Sequence, residues 1–225
     1  RNLKLMNLVK LTPPAMLYSI DIMHEKPTEP SIMGVIAPGH VSTITGAKAW
    51  TPVAENYGIP VVISGFEPID VLLSIAEILK QIARGEAKVV IEYSRAVSWH
   101  GDLRAQVAIY KAFKIVDDAW RGIGYIPKSG LRINDVFEEF NAFSYFDIKE
   151  LTPGSWRYDL PAGCRCAEVT LGKAKPTSCP LFMKVCTPRN PVGPCMVSEE
   201  GACSIWAKFG TSILASEIIR EIGLR

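Results

Sequence analysis

The chain has 225 residues, 48% of them hydrophobic and 21% charged, with a formal net charge of +2. This is the composition of a folded globular chain of one large domain or two smaller ones, and it argues against both disorder and a dedicated nucleic-acid surface. The longest apolar stretch, residues 69–79, is broken by Asp70, Ser74 and Glu77, so no membrane span of roughly 18 to 20 apolar residues is expected.

The chain opens Arg1-Asn2-Leu3-Lys4-Leu5-Met6, without an initiator methionine or the apolar region of a signal peptide, and is expected to be cut from something longer. Thr12 followed by Pro13-Pro14 suits the start of a helix over residues 12–23. Residues 32–37, 59–64 and 88–93 are short, nearly continuous apolar runs, the pattern of strands buried on both faces. Helical stretches alternate with them, which predicts βαβ units around a mostly parallel sheet. The clearest helix covers residues 67–84, where Ile69, Leu72, Leu73, Leu79 and Ile82 form an apolar stripe expected to pack inward, with Pro68 at its start and Gly85 past its end. A further helix is expected over residues 102–113, with Leu103, Val107, Ile109, Tyr110 and Phe113 facing the core. The glycine-rich stretch 120–131 reads as strand and loop.

From Thr152 to Pro194 proline, glycine and cysteine become dense, and helical character returns at residues 202–209 and 212–222. The predicted architecture is therefore α/β, a mostly parallel sheet flanked by helices in residues 1–150, followed by an irregular Cys-rich iron–sulfur domain with C-terminal helices in residues 151–225.

All six cysteines, Cys164, Cys166, Cys179, Cys186, Cys195 and Cys203, lie in that last segment. A chain without a secretory signal is expected in the cytoplasm, where thiols stay reduced and clustered cysteines act as metal ligands or redox centres. Cys166, Cys179, Cys186 and Cys203 are separated by twelve, six and sixteen residues. Four thiolates suit a [4Fe–4S] cluster. Zinc accepts the same donors, but its structural sites commonly use paired C-x₂₋₄-C knuckles, and none occurs in this sequence. Cys164 and Cys195 are spare thiols that either substitute as ligands or are buried and inert. Arg165, Lys173, Lys175, Lys184 and Arg189 are cations placed to offset a cluster's negative charge or simply to face solvent.

A second group of candidates follows the predicted strands. Ala37-Pro-Gly-His40-Val-Ser42, Gly65-Phe-Glu67-Pro-Ile-Asp70 and Tyr93-Ser-Arg95 each leave a strand at its carboxyl end, where ligands bind in open α/β sheets. His40, Glu67 and Arg95 converge there as site candidates; turn bonding, helix-dipole compensation and a surface ion pair are the plainer roles for the three. No Walker phosphate loop, G-x-G-x-x-G, G-x-S-x-G or C-x-x-C is present.

Together these segments, with Trp120-Arg-Gly-Ile-Gly124, Ile126-Pro127, Ser129-Gly-Leu131, Cys186-Thr-Pro188 and Met196-Val-Ser-Glu-Glu-Gly-Ala-Cys203, resemble the HypD family of [NiFe]-hydrogenase maturation proteins over almost the whole chain. The resemblance implies Cys166, Cys179, Cys186 and Cys203 as iron ligands of a [4Fe–4S] cluster. It also implies a scaffold, rather than an ordinary enzyme, on which the Fe(CN)2CO group is transiently assembled with a HypC-like chaperone and a HypE-like cyanide donor. Glu199 stands where the family has serine, which leaves Glu200 as the match to the glutamate near the cluster. His40, Glu67, Arg95 and Glu200 are thus the candidate residues of an iron-assembly cleft. The family's N-terminal CGTH and GPGCPVC segments do not occur in this sequence. The competing expectations are a [4Fe–4S]-dependent lyase or reductase with its substrate at the His40, Glu67 and Arg95 edge, and a zinc-stabilised interaction module.

Overall fold

The computed structural model describes residues 2–25, 32–149 and 160–210. The chain falls into two compact units, residues 1–118 with 126–150, and residues 119–125 with 151–225.

In the first unit three parallel strands, β1 (Val35–Pro38), β2 (Val61–Ser64) and β3 (Val89–Ile91), lie in the order β1-β2-β3. Val61 is in register with both Val35 and Val89. The strands are shorter than the apolar runs that announced them; Pro60, which has no N–H to donate, marks the start of β2. One face of the sheet packs on α1 (Thr12–Glu25), on a 3-10 turn at Ala47–Trp50 and on α3 (Thr51–Tyr57). Ile20, Trp50 and Val53 meet Val35, Ala37, Val61 and Ile63 there, all buried. The Trp50 indole N–H donates to Ser42 Oγ at 2.9 Å, on α2 (Gly39–Thr45), so the largest core side chain buries no unpaired donor.

Helix α4 (Pro68–Arg84) lies against β1 and β2. Its ends are as expected, with Glu67 at the N-cap and Gly85 closing it at φ 63°, a left-handed conformation that glycine adopts without strain. Its orientation is not as expected. The buried residues are Asp70, Ser74, Ile78 and Gln81, and the apolar stripe Ile69, Leu72, Leu73, Leu79 and Ile82 is exposed. Two of these side chains meet long-range partners, while Ser74 Oγ and Gln81 Nε2 are buried with no hydrogen-bond partner among the described residues. Asp70 binds Arg95, and Gln81 Oε1 accepts from Lys88 N at 2.8 Å, which ties the helix end to the start of β3.

Helix α5 (Leu103–Ala112) is capped by Asp102, whose side chain accepts from Arg104 N and Ala105 N. Here too the expected inward face is corrected: Leu103, Val107 and Tyr110 are exposed, and no residue of the helix is buried. The helix is anchored instead by Gln106, whose Nε2 donates to the carbonyls of Ile44 at 2.7 Å and His100 at 2.8 Å. The chain then enters β4 (Phe113–Trp120) directly, and β4 pairs with β5 (Gly124–Ile133). No glycine or proline marks the α5–β4 junction, which is why β4 does not stand out in the sequence.

Asp118 organises the base of this hairpin. It is 3% exposed, lies 2.6 Å from Lys10 Nζ and accepts from Arg132 at 3.1 and 3.3 Å. Burial alone would raise its pKa, but the two cations outweigh burial and hold it below the ordinary 3.8. A carboxylate whose folded pKa is depressed stabilises the fold above its unfolded pKa and loses that contribution as pH falls through the folded value. Acid unfolding is therefore expected to set in below about pH 4 and to lose part of its pH dependence in Asp118→Asn. Asp118→Ala, which removes the carboxylate that Arg132 and Lys10 share, is expected to cost about 2 kcal/mol by chemical denaturation at neutral pH.

Among its described residues the second unit has only short helical pieces: α6 (Cys166–Thr170), a 3-10 turn at Pro176–Ser178, α7 (Pro194–Val197), α8 (Ala202–Ile205) and a π-type turn at Trp206–Gly210. The helical expectation for residues 202–209 is met by the last two elements; that for residues 212–222 lies outside the described residues. Among the described residues no helix is long and apolar enough to cross a membrane.

Candidate metal centre and sheet-edge site

Five of the six cysteines are buried, Cys164 is half-buried, and none is in a disulfide. Cys166, Cys186, Cys195 and Cys203 share one packed cluster with Val169 and Met196, the other buried side chains in it among the described residues, and Cys164 lies against it. Leu160, Ala174, Leu181, Phe182, Val192 and Ala207 pack against it, each partly buried.

Backbone geometry turns donors toward sulfur. Cys195 N–H donates to Cys166 Sγ at 3.1 Å and Val192 N–H donates to Cys186 Sγ at 3.4 Å. Cys179 Sγ donates to Gly163 O at 3.8 Å, and Cys195 Sγ to Cys203 Sγ at 3.1 Å. N–H donors aimed at sulfur stabilise thiolate rather than thiol and are a main lever on the potential of an iron–sulfur centre. Without metal the balance runs the other way. The Cys166 thiol is pushed well up by its bond to Cys195 and by burial. Burial raises Cys164 and Cys203, and the neighbouring Cys166, Cys179 and Cys186 raise both further. Loading any metal must therefore displace protons.

Glycines admit the close approach of these loops. A Cβ on Gly193 would lie 2.8 Å from Cys164 Sγ and 3.2 Å from Cys166 Cβ, and one on Gly201 would overlap the Cys195 carbonyl. Among the described residues no three His, Cys, Asp or Glu side chains close around a single ion. A lone zinc would need four sulfurs each about 2.3 Å from one point. A multi-iron core interposes inorganic sulfide between metals and so holds its thiolates farther apart. The donor set of soft, buried, reduced thiols with N–H donors fits such a core. Of the candidate cations, Arg165 is engaged with Glu168 through Nε at 2.9 Å and with the Ser178 carbonyl at 3.2 Å.

At the carboxyl edge of the parallel sheet, the turns after the three strands interlock. A Cβ on Gly39 would meet Ser64 O at 2.5 Å and the Tyr93 ring at 2.7 Å, while one on Gly65 would overlap the Asp70 carboxylate and lie 2.8 Å from Tyr93. Asp70 accepts two bonds from Arg95, at 3.0 and 2.6 Å, and one from Glu67 N at 3.3 Å. The Arg95 guanidinium also stacks 4.3 Å above the Tyr93 ring. Its bonds to Arg95 hold the Asp70 carboxyl below its ordinary range, and Asp70 in turn raises the Arg95 pKa, with Glu67 contributing. Arg95 keeps half of its side chain exposed.

His40 is exposed on the first turn of α2, its ring 5.2 Å from that of Phe66, itself exposed. Glu67 is exposed at the N-cap of α4. Glu200 is exposed in the second unit, its backbone N–H bonded to Ser198 Oγ. The structure thus gathers His40, Glu67 and Arg95 at one sheet edge, while Glu200 belongs to the cysteine-rich unit.

A family model described as HypD, hydrogenase formation hypA family, matches residues 1–210. The chain belongs to the HypD family. It is 42% identical over 204 residues to a HypD hydrogenase maturation factor of Bradyrhizobium diazoefficiens, covering 89% of this chain and 52% of that one. It is 38% identical to the HypD factor of Cupriavidus necator and 37% identical to that of Azotobacter vinelandii, again over 89% of this chain and 52% of theirs. This chain therefore spans about half the length of the curated HypD relatives it matches.

One residue of these sites escapes a reading of the sequence. Asp70 holds Arg95, and its signal was its place three residues after the N-cap Glu67, where a carboxylate reaches back to the cap N–H. Cys195, expected either to substitute as a ligand or to be buried and inert, is buried and touches both Cys166 and Cys203.

Proposed function

We propose that this chain binds a [4Fe–4S] cluster through Cys166, Cys179, Cys186 and Cys203, and that it forms part of a scaffold on which the Fe(CN)2CO group of [NiFe]-hydrogenases is assembled. The carrying observation is the concentration of five buried, reduced cysteines in one small unit with backbone N–H groups aimed at Cys166 and Cys186. Family membership supplies the context of hydrogenase maturation. The cluster would supply electron exchange and would tie the loops of the second unit together; the protein supplies thiolate ligands, N–H donors and a dry surround.

At the sheet edge, His40, Glu67 and Arg95 are the residues proposed to face the iron cargo, with Glu200 proposed near the cluster. Arg95, fixed in two directions by Asp70 and Tyr93, presents its remaining exposed edge as a rigid donor to an anionic cargo or partner. A HypC-like chaperone and a HypE-like cyanide donor are the proposed partners of the whole protein.

Anaerobic purification tests the cluster. A brown protein with absorption at about 400 nm and iron and sulfide in equal amounts is the expected result, whereas a colourless protein carrying zinc would overturn it. Co-purification of the complete gene product with a HypC-like protein, together with infrared bands from bound CO and CN, tests the scaffold. If the complete product takes neither partner nor diatomic ligands, the scaffold reading fails while the cluster reading stands.

A further inference from the structure

Helix α4 is built inside out for a surface helix. Its sheet-facing side carries Asp70, Ser74 and Gln81 beside Ile78, while Ile69, Leu72, Leu73, Ile75, Leu79 and Ile82 are all exposed, Leu72 by 62% and Leu79 by 55%. At 100° per residue these six positions spread over about half the helix circumference. The remaining positions on that arc, Pro68, Ala76, Lys80 and Ala83, add one charge near its border. A single-sided surface helix shows the opposite arrangement, with its apolar stripe on the core and charges outward.

The sheet beneath is under-covered on the same side. Pairing and alternation put Ile36 on the face that α4 occupies, since Val35 and Ala37 point into the opposite core, and Gly34 on that face meets Ile78 of α4. Ile36 is nevertheless 41% exposed. Parallel sheets are ordinarily covered on both faces, and among the described residues α4 leaves Ile36 of this one exposed. An apolar area of this kind marks a docking surface.

We infer that the outer face of α4, with the uncovered flank of β1, is the seat of an intramolecular layer, formed by this protein's counterpart of the half of its relatives that has no match in these 225 residues. The occupant is argued from length. The chain covers 52% of each of three relatives, so a reading frame of the relatives' length would supply about as much polypeptide again to cover the helix. A lipid surface would favour basic residues along the border of the apolar arc, and Lys80 and Arg84 are interleaved there with Glu77. The inference is independent of the cluster and of the scaffold reading.

The test compares the 225-residue chain with the product of its complete reading frame, each with and without Leu72→Glu and Leu79→Glu. The short chain is expected to bind an apolar-surface dye, to lose most of that signal on substitution and to keep its Tm. The complete product is expected to bind little dye and to lose about 5 °C or more in Tm with the same two changes. If the charged pair prevents the complete product from folding, Leu72→Ala with Leu79→Ala supplies the Tm comparison. The inference is overturned if the complete product tolerates both pairs unchanged, if the reading frame adds no further residues, or if the short chain sediments as a dimer that the substitutions dissociate, which would make a second copy the occupant. Vesicle binding by the complete product that the charged pair abolishes would also overturn it.

Discussion

Replacing Cys186 with serine is expected to empty the proposed iron site and to unfold the second unit while leaving the first intact. Serine is close in size but is a hard, weakly acidic oxygen ligand in place of a soft thiolate. The buried partners of Cys186 are other cysteines with Val169 and Met196, and the apolar side chains around them, such as Leu181, Phe182 and Val192, are only partly buried, a small core to hold the loops once ligation fails. Iron content should fall to less than about half, and the unit should lose more than about 3 kcal/mol, in the class of metal-loss substitutions. Limited proteolysis should then cut between residues 160 and 210 and spare the parallel-sheet unit. The same change at Cys164, which is half-buried at the margin of the cluster, should leave iron content nearly unchanged.

Cys195 is the discriminating control. Its Sγ is 3.1 Å from Cys203 Sγ and its N–H serves Cys166, so it is better placed than Cys164 to stand in for a ligand. Under the proposed ligand set, Cys195→Ser keeps the iron because the backbone N–H to Cys166 is unaffected, and Cys203→Ser loses it. The reverse outcome would exchange Cys195 for Cys203 among the ligands. Iron, sulfide and absorption measured on the four serine variants, purified anaerobically in parallel, settle the assignment.

Much of this architecture was legible in the sequence because local chemistry agreed with the fold. Pro68 and Gly85 bracket α4, Asp102 caps α5, and three apolar runs became the three parallel strands. What was not legible came from periodicity taken as a guide to burial. The stripe on α4 correctly announced a helix and wrongly announced its buried side, since the inner face is fixed by long-range polar partners, Arg95 for Asp70 and Lys88 N for Gln81. The same happened on α5, where Gln106 is the anchor and Leu103 and Val107 are left outside. A periodic apolar stripe shows that a face will be covered by something. Whether the cover lies within these 225 residues is not written in the stripe.

The cysteine-rich unit was legible by composition and not by geometry. Six cysteines in forty residues announce a centre, yet only coordinates show that Cys195 lies against Cys203 and that Gly193 and Gly201 are there to let the loops meet. At the sheet edge, His40, Glu67 and Arg95 could be placed from strand ends. The fixed state of Arg95 could not, because Asp70 looks like an ordinary first-turn acid.

That fixed state underlies the second large effect, at a residue with no side chain. Gly65→Ala is expected to cost about 3 kcal/mol and to lower Tm by roughly 6 to 12 °C. The new Cβ would overlap the Asp70 carboxylate and press on the Tyr93 ring at 2.8 Å. Neither neighbour can yield cheaply. Asp70 is held by two bonds from Arg95 and one from Glu67 N, and Tyr93 is held by backbone bonds from its N–H to Ile63 O at 3.0 Å and from Val97 N–H to its own carbonyl at 3.0 Å. The φ of Gly65 is not in the left-handed region that only glycine favours, so the penalty is one of contact rather than of backbone strain. It should therefore be relieved by removing what the methyl strikes. In an Asp70→Ala background, the additional loss on Gly65→Ala should shrink by about half, the residue being the clash with Tyr93. Equal losses in both backgrounds would show that Asp70 is not the obstacle, and with it would go the view of Asp70 as the rigid support that aims Arg95 at the sheet edge.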